Sequence, residues 1–321
     1  MKVLLTGCAG FIGSHTCEKL LSKGFSVIGI DNFSTFYDRS IKENNLDAFR
    51  NHPNFTFKEL DIRNFSSLQE NLKEEVDIVV HLAAKAGVRP SILNPSDYID
   101  VNIKGTQNLL QWMLDHNCKK LFFASSSSVY GNNKNGQAVK EGDFDLQPIS
   151  PYAFTKRSGE LMNYTYHHLY DFDIINARFF TVYGPRQRPD LAIHKFVDLI
   201  SREQPIHMFG DGSSARDYTF IEDTVKGIVS GVDYLLKNEN VIETINLGNQ
   251  TPVSLLKLIK TIYAQLGKEE NIIQEGMQEG DVNLTYANIE KAQKLLGYNP
   301  TVKLEDGIAR FVEWYRQKDN H

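Results

Sequence analysis

KVLLTGCAGFIG, residues 2–13, decides the fold, because an apolar run passes directly into a glycine-rich turn. The three glycines stand three residues apart: Gly7, Gly10 and Gly13. Residues 3–5 predict a buried strand, and residues 11–23 predict a helix. A turn between strand and helix points backbone N–H groups and the positive helix end at a phosphate, so it predicts a dinucleotide-binding site. We expect Cβ atoms at the first two glycines to crowd such a ligand, and Gly13 to let the helix approach the strand.

Short apolar runs alternate with longer helical patterns through the first half of the chain. After the first strand, the predicted strands occupy residues 26–30, 55–60, 77–81, 121–124 and 174–179. Runs that are buried on both faces and separated by helices indicate a parallel sheet covered on both faces. Right-handed crossovers then predict an α/β fold with a doubly wound parallel sheet of the Rossmann type.

The pattern changes after about residue 181, where prolines and glycines break the chain into loops and short elements. We predict a dinucleotide-binding domain over residues 1–180 and a smaller, interleaved substrate domain over residues 181–321. The strand-like run from Thr244 to Leu247 indicates that residues 219–250 return to the first domain.

Composition argues against several functional classes. The chain has 321 residues and a net charge of −5, so we expect no nucleic-acid partner. Its three cysteines form no C-x-x-C pair, and His167-His168 lacks the spacing of metal ligands, so we expect no metal. No apolar run approaches the roughly 20 residues of a membrane span. No signal peptide is recognisable either, so we predict a cytoplasmic protein without a membrane partner.

An acidic residue identifies the expected dinucleotide. Asp31 ends the second predicted strand, eighteen residues after Gly13. A carboxylate there can accept hydrogen bonds from the adenosine ribose hydroxyls and would repel a 2′-phosphate, which favours NAD over NADP. Asp61 and Ile62 follow the third predicted strand, and we expect them to reach the adenine.

A tyrosine and a lysine supply candidate acid–base chemistry. Tyr152 and Lys156 stand four residues apart, so on a helix they share one face. An ammonium beside a phenol stabilises the phenolate and is expected to lower the pKa of the tyrosine. A tyrosinate can then take a proton from a sugar hydroxyl while hydride leaves the carbon.

Four serines, residues 125–128, follow the fifth predicted strand directly. Loops at the carboxyl ends of parallel strands are where such folds bind ligands. A serine hydroxyl at this point could bridge the substrate hydroxyl and the tyrosine. Spacing alone leaves open which of the four serines does so.

Together these motifs resemble the nucleotide-sugar epimerase/dehydratase branch of the extended short-chain dehydrogenases/reductases, over essentially the whole chain. The resemblance rests on GCAGFIG, Asp31, His81-Leu82-Ala83-Ala84, the serine row before Val129-Tyr130-Gly131, Tyr152-x-x-x-Lys156, Tyr183-Gly184-Pro185 and Arg216-Asp217-Tyr218. In that family the catalytic Ser or Thr lies three residues before the Val of the V-Y-G element. The resemblance therefore implies Ser126, Tyr152 and Lys156 as catalytic residues.

The resemblance also implies a tightly bound NAD that is oxidised and reduced again within each turnover. The residues implied for its site, besides Lys156, are Gly7, Gly10, Phe11, Ile12, Gly13, Asp31, Asn32, Asp61, Ile62, Leu82, Ala83 and Ala84.

The serine row favours epimerisation over related reactions. Dehydratases of this family usually carry Asp and Glu after the catalytic Ser or Thr, and decarboxylases of UDP-glucuronate usually carry Glu just before V-Y-G. Ser127 and Ser128 stand at those positions here. The alternatives are a UDP-glucose or UDP-N-acetylglucosamine 4-epimerase, a UDP-glucuronate decarboxylase, or a non-catalytic NAD-binding protein.

The sugar is suggested by the sequence after the sixth strand. Neutral-sugar 4-epimerases of the family usually have Asn where Thr181 stands, and Thr181 followed by Arg186-Gln-Arg188-Pro-Asp190 resembles UDP-glucuronate 4-epimerases. A hydroxyl donor and a guanidinium suit the C6 carboxylate of a uronate. The substrate residues implied in this way are Arg89, Ser127, Ser128, Thr181, Arg188, Arg216 and Asp281, the last two toward the UDP. The family often pairs through helices, including the one with Tyr-x-x-x-Lys, so we expect a homodimer.

Overall fold

The computed structural model describes residues 1–132, 136–143, 147–276 and 284–318. The strands are β1 (Lys2–Thr6), β2 (Ser26–Asp31), β3 (Phe55–Glu59), β4 (Ile78–His81), β5 (Lys120–Ser126), β6 (Asp173–Phe179), β7 (Thr181–Tyr183), β8 (Ile206–Phe209), β9 (Ala215–Phe220), β10 (Ile242–Leu247), β11 (Pro252–Ser254) and β12 (Ile272–Glu275). Seven of them form one sheet in the order β10-β6-β5-β4-β1-β2-β3, and every neighbouring pair is parallel. The predicted doubly wound parallel sheet is confirmed.

Helices cover both faces of this sheet, as its mostly buried strands require. They are α1 (Phe11–Ser22), α2 (Arg39–Asp47), α3 (Phe65–Asn71), α4 (Val88–Leu93), α5 (Pro95–Tyr98), α6 (Gly105–Asp115), α7 (Pro151–Tyr170), α8 (Ala192–Ser201), α9 (Ile221–Lys237), α10 (Leu255–Leu266), α11 (Glu290–Leu296) and α12 (Leu304–Lys318). Side chains of α1 and α9 join one core cluster, and those of α3 and α6 join the cluster on the opposite face. A π-helical segment, Ile99–Lys104, connects α5 to α6.

The later part of the chain builds two small sheets beside the large one. Strands β7, β9 and β11 form the first, and β8 and β12 pair in the second. The strand expected at 244–247 is present as β10, and it pairs with β6 at the edge of the large sheet. The chain therefore leaves the large sheet after β6 and returns to it after β9 and α9.

The sheet order reverses beside β1, where the chain first moves outward to β2 and β3 and then crosses to β4 on the other side. Such a point leaves a crevice at the carboxyl ends of the strands, which is where ligands bind in open α/β sheets. Within the described parts of the chain, none of the helices combines the length and apolar character that a transmembrane segment needs.

Candidate active site

A cavity of about 1160 Å³ opens at this crevice. Its wall comes from the turns after β1, β2, β4 and β5, from the start of α7 and, on the other side, from the chain around β7, α8 and β9. Small-molecule sites usually measure about 300–1000 Å³, so this cavity can hold a large cofactor together with a second ligand.

The glycine turn forms one end of the cavity. Gly10 begins α1 and contributes no capping side chain, so the first N–H groups of the helix remain available to a ligand. A Cβ at Gly13 would lie 1.9 Å from the carbonyl oxygen of Gly7, which is the expected close approach of helix and turn. A Cβ at Gly7 would meet the backbone nitrogen of Ala83 at 2.8 Å, and Gly7 has φ +73°. Protein backbone, rather than a ligand, therefore already requires glycine at position 7.

Asp31 is the last residue of β2 and is buried. Its Oδ1 accepts a hydrogen bond from the backbone N–H of Phe33 at 2.9 Å and one from Lys42 Nζ at 3.2 Å. Both interactions use Oδ1, which leaves Oδ2 as the second acceptor of the carboxylate. Lys42 carries no signal of this role in the sequence, because it lies on α2 and only the return of that helix brings it to β2.

The next turn assembles the residues expected around the adenine. Asn32 Nδ2 donates to Asp61 Oδ2 at 2.9 Å, and Arg63 Nη2 donates to the same oxygen at 2.7 Å. Arg63 and Asn32 hold the pKa of Asp61 below its usual range, although burial of the carboxyl opposes them. The remaining residues expected around the cofactor also line this cavity: Phe11, Ile12, Ile62, Leu82, Ala83 and Ala84.

Ser126, Tyr152 and Lys156 come together at the middle of the cavity. Ser126 is the last residue of β5, whereas Tyr152 and Lys156 lie on the first turns of α7, which Ser150 caps by accepting the Ala153 N–H at 3.2 Å. The Tyr152 hydroxyl shares a hydrogen bond with the Ser126 side chain. Lys156 is buried, and its Nζ donates to the carbonyl oxygen of Ala124 at 2.8 Å.

The pKa of Tyr152 differs from the expectation. Burial of the phenol raises its pKa, and the hydrogen bond with Ser126 and the charge of Arg188 only partly offset this. Burial also lowers the pKa of Lys156 to about 7. Loss of hydration therefore outweighs the groups of this chain that favour the phenolate, and ionising the phenol needs further positive charge close by.

Only some of the predicted substrate residues line the cavity. Thr181, Arg188, Arg89 and Arg216 line the same cavity as Tyr152. Ser127 and Ser128 lie in a 3₁₀ turn behind Ser126, where the Ser128 hydroxyl donates to Ser126 Oγ at 2.9 Å, and the lining of the described cavity does not include them. Asp281 lies outside the described residues.

Arg188 is already engaged with an acidic neighbour. Its Nε donates to Asp190 Oδ1 at 2.9 Å and its Nη2 donates to Oδ2 at 2.8 Å, while the guanidinium lies 5.1 Å from the centre of the Phe36 ring. Sequence reasoning named Arg188 without this partner. The only sequence signal for the pair is that Arg188 and Asp190 stand two residues apart. Whether their side chains meet depends on the backbone conformation of the loop.

A buried network behind the catalytic residues was also missed. Glu160, one turn beyond Lys156, accepts bonds from Ser125 Oγ at 2.6 Å and from Arg178 Nε and Nη2 at 2.8 and 2.9 Å. Because Ser125 precedes Ser126, this network ties α7 to the strand that carries the catalytic serine. On the other side, Asn102 Nδ2 in the π-helical segment donates to Thr155 Oγ1 at 3.0 Å.

His81 lies at the end of β4 beneath the glycine turn and is buried. Its Nδ1 and Nε2 lie 2.7 Å from Thr6 Oγ1 and 3.1 Å from Thr106 Oγ1, and burial lowers its pKa to about 3. These contacts make His81 a hydrogen-bonded residue of the core.

Comparison with known proteins agrees with this geometry. The chain matches the model of the GDP-mannose 4,6-dehydratase family over residues 4–311. It is 42% identical over 319 residues to a UDP-glucuronate 4-epimerase of Thermodesulfobacterium geofontis (strain OPF15), covering 98% of this chain and 96% of that protein.

Solved structures give the same result. The UDP-glucuronic acid 4-epimerase of Bacillus cereus, in complex with UDP-glucuronic acid and NAD, superposes with a TM-score of 0.90 at 38% identity, covering 99% of this chain and 100% of that one. The UDP-glucose 4-epimerase of Thermotoga maritima, with UDP-glucose, also gives a TM-score of 0.90, at 31% identity and 99% coverage of both chains.

Proposed function

The chain belongs to the GDP-mannose 4,6-dehydratase family, and from this membership we propose that it is an NAD-dependent UDP-sugar 4-epimerase that interconverts UDP-glucuronate and UDP-galacturonate. One observation carries the proposal: Ser126, Tyr152 and Lys156 meet in the cavity that also contains the glycine turn. The serines at positions 127 and 128 supply no acid that could expel a hydroxyl group, so the residues favour epimerisation over dehydration.

NAD is the cofactor, and the residues at the glycine turn fit it. The start of α1 can take the diphosphate, Asp31 can take the adenosine ribose, and the side chains around Asn32 and Asp61 can border the adenine. When bound, NAD supplies a positively charged nicotinamide that accepts a hydride and returns it. Because each turnover ends where it began, the cofactor stays bound.

The residues of this chain move the proton. Tyr152 takes the proton of the C4 hydroxyl, and Ser126, which already shares a hydrogen bond with Tyr152, orients that hydroxyl. Lys156, on the same face of α7, supplies positive charge to stabilise the phenolate, although burial lowers its pKa. After the 4-keto sugar has rotated and presents its opposite face, Tyr152 returns the proton to the C4 oxygen.

A uronate adds a hazard that Thr181 and Arg188 can limit. The 4-keto intermediate is a β-keto acid, which can lose CO₂. A hydroxyl donor and a guanidinium on the cavity wall can fix the carboxylate in an orientation that makes this loss slow. Arg89 is a second cation on the wall, and Arg216 suits the diphosphate of UDP.

We assign cofactor binding and substrate binding to different parts of the chain. Residues 1–180, with 219–250, form the NAD-binding domain of our proposal, and the rest of residues 181–321 form the UDP-sugar domain. Asp281 is kept as a candidate contact to the uridine ribose. We also place the protein in the cytoplasm.

We further propose a homodimer that pairs through α7. This helix, which carries Tyr152, leaves Phe154, Leu161 and Tyr164 at 50%, 54% and 61% exposure. Leu93 on α4, a helix in contact with α7, is 87% exposed. Large exposed apolar side chains that cluster on one face are typical of an interface between proteins.

The test is a product analysis with three substrates. Purified protein is incubated with UDP-glucuronate, UDP-glucose or UDP-N-acetylglucosamine without added cofactor, and the products are separated. We expect UDP-galacturonate from UDP-glucuronate, with no net consumption of NAD. Conversion of only the neutral sugars would contradict the uronate assignment, a UDP-pentose as main product would indicate a decarboxylase, and no conversion would favour a non-catalytic protein.

A further inference from the structure

Asp190 raises a question about a uronate site. It lies on the wall of the cavity that contains Thr181, Arg188 and Tyr152. A second carboxylate brought by the substrate would meet a like charge there, and like charges at short range are costly in a partly buried site. An epimerase for a neutral sugar would face no such cost.

The pairing with Arg188 shows how both carboxylates can be accommodated. The bidentate pair occupies Nε and Nη2 of Arg188, and the Nη1 atom lies outside it. The Arg188 side chain is 16% exposed, and that of Asp190 is 34% exposed. An arginine buried to this degree needs an anionic partner, because an unpaired charge loses its hydration. Asp190 is that partner whenever no substrate carboxylate is near.

We propose that Asp190 is a specificity-determining residue that competes with the C6 carboxylate of the substrate for the guanidinium of Arg188. This inference rests on the proposed function. Asp190 keeps the guanidinium oriented and neutralised before the substrate arrives, and gives up part of this interaction when the uronate binds. Asp190 thereby weakens the binding of the uronate selectively, which lets the carboxylate leave Arg188 when the 4-keto sugar turns over.

The surroundings of Arg188 support its position next to the reacting group. The charge of Arg188 acts on the phenol of Tyr152, and those of Arg188 and Asp190 act with opposite sign on the phenols of Tyr98 and Tyr37. Arg188 therefore lies close enough to the catalytic tyrosine for its charge to act there, and both residues line the same cavity. Phe36 packs against the other side of the guanidinium and limits where it can move.

The variant Asp190→Asn tests the competition by ligand binding. Calorimetric titration of the NAD-loaded protein with UDP-glucuronate, UDP-glucose and UDP gives three dissociation constants for each variant. We expect Asp190→Asn to bind UDP-glucuronate at least fivefold more tightly than the wild type. The dissociation constants for UDP-glucose and UDP should stay within twofold of the wild-type values. The matched control is Asp47→Asn, which removes one negative charge from an exposed ion pair on α2 and should change none of the three.

Two other results overturn the proposal. Weaker binding of UDP-glucuronate would mean that Asp190 only orients Arg188, and equally tighter binding of all three ligands would place Arg188 at the diphosphate. Asp190→Glu, which keeps the charge, should restore weak uronate binding and covers the case in which the Asn variant folds poorly. The proposed function has a separate test. A wild-type protein that converts no UDP-sugar would contradict the proposed function, whereas the ratios of the dissociation constants test only the role of Asp190.

Discussion

At the scale of single residues, the phenol of Tyr152 is the proposed proton acceptor. We expect Tyr152→Phe to lower kcat by at least a thousandfold, because phenylalanine keeps the ring and loses the only atom that can take the proton. The NAD content of the purified variant, measured after denaturation, should match the wild type. The control is Tyr98→Phe, whose ring lies 6.2 Å from that of Tyr152 and whose hydroxyl donates to Ala86 O instead. Undiminished turnover by Tyr152→Phe would rule out the assigned role.

Sequence reasoning placed Tyr152 and Lys156 on one helical face because helix geometry is local. It selected Ser126 from four serines only through the family resemblance. It did not include Lys42 or Glu160, since their partners Asp31 and Arg178 are reached only after the chain has folded back. The raised pKa of Tyr152 was unpredictable for the same reason, because burial depends on packing from distant segments.

At the scale of elements, the contact between α7 and β5 sets the distance between Tyr152 and Ser126. A Cβ at Gly159 would lie 2.4 Å from Phe123 Cζ, so the helix rests directly on the strand. We expect Gly159→Ala to reduce the free energy of unfolding by about 1–3 kcal/mol through overpacking and to lower kcat by moving α7 away from Ser126. Denaturant titration and steady-state kinetics measure the two effects.

A matched glycine substitution separates overpacking from the general effect of adding a methyl group. Among the described residues, no heavy atom lies within 4 Å of a Cβ placed at Gly142, so Gly142→Ala should leave both the unfolding free energy and kcat close to the wild type. If Gly159→Ala behaves like Gly142→Ala, the close contact does not control the site.

The elements differ in how well the sequence predicted them. The strands of the large sheet were found because each contains a short β-branched or apolar run, and β10 was found in the same way. The short strands β7, β8, β11 and β12 were not, since three or four residues carry too little pattern and their pairing is with distant segments. The π-helical segment at Ile99–Lys104 also has no local signal in its residues.

At the scale of the whole molecule, the exposed apolar face of α7 leads to a prediction about assembly. We expect Leu161→Arg to convert the proposed dimer into a monomer, because a charge would be buried in an apolar interface. Light scattering after size-exclusion chromatography measures the mass. The control, Ile273→Arg, places the same charge on an exposed apolar position of β12 and should leave the mass unchanged. A wild-type monomer, or a Leu161→Arg dimer, would disprove this interface.

The position of β10 has a consequence for biosynthesis. The large sheet cannot be finished until residues 242–247 have been translated, although its neighbouring strand β6 is complete at residue 179. At about 5–20 residues per second, the edge of β6 faces solvent on the ribosome for roughly 3–14 s. An open strand edge can pair with another nascent chain. During this interval the backbone N–H and C=O groups of that edge of β6, which β10 later pairs, are open to such contacts.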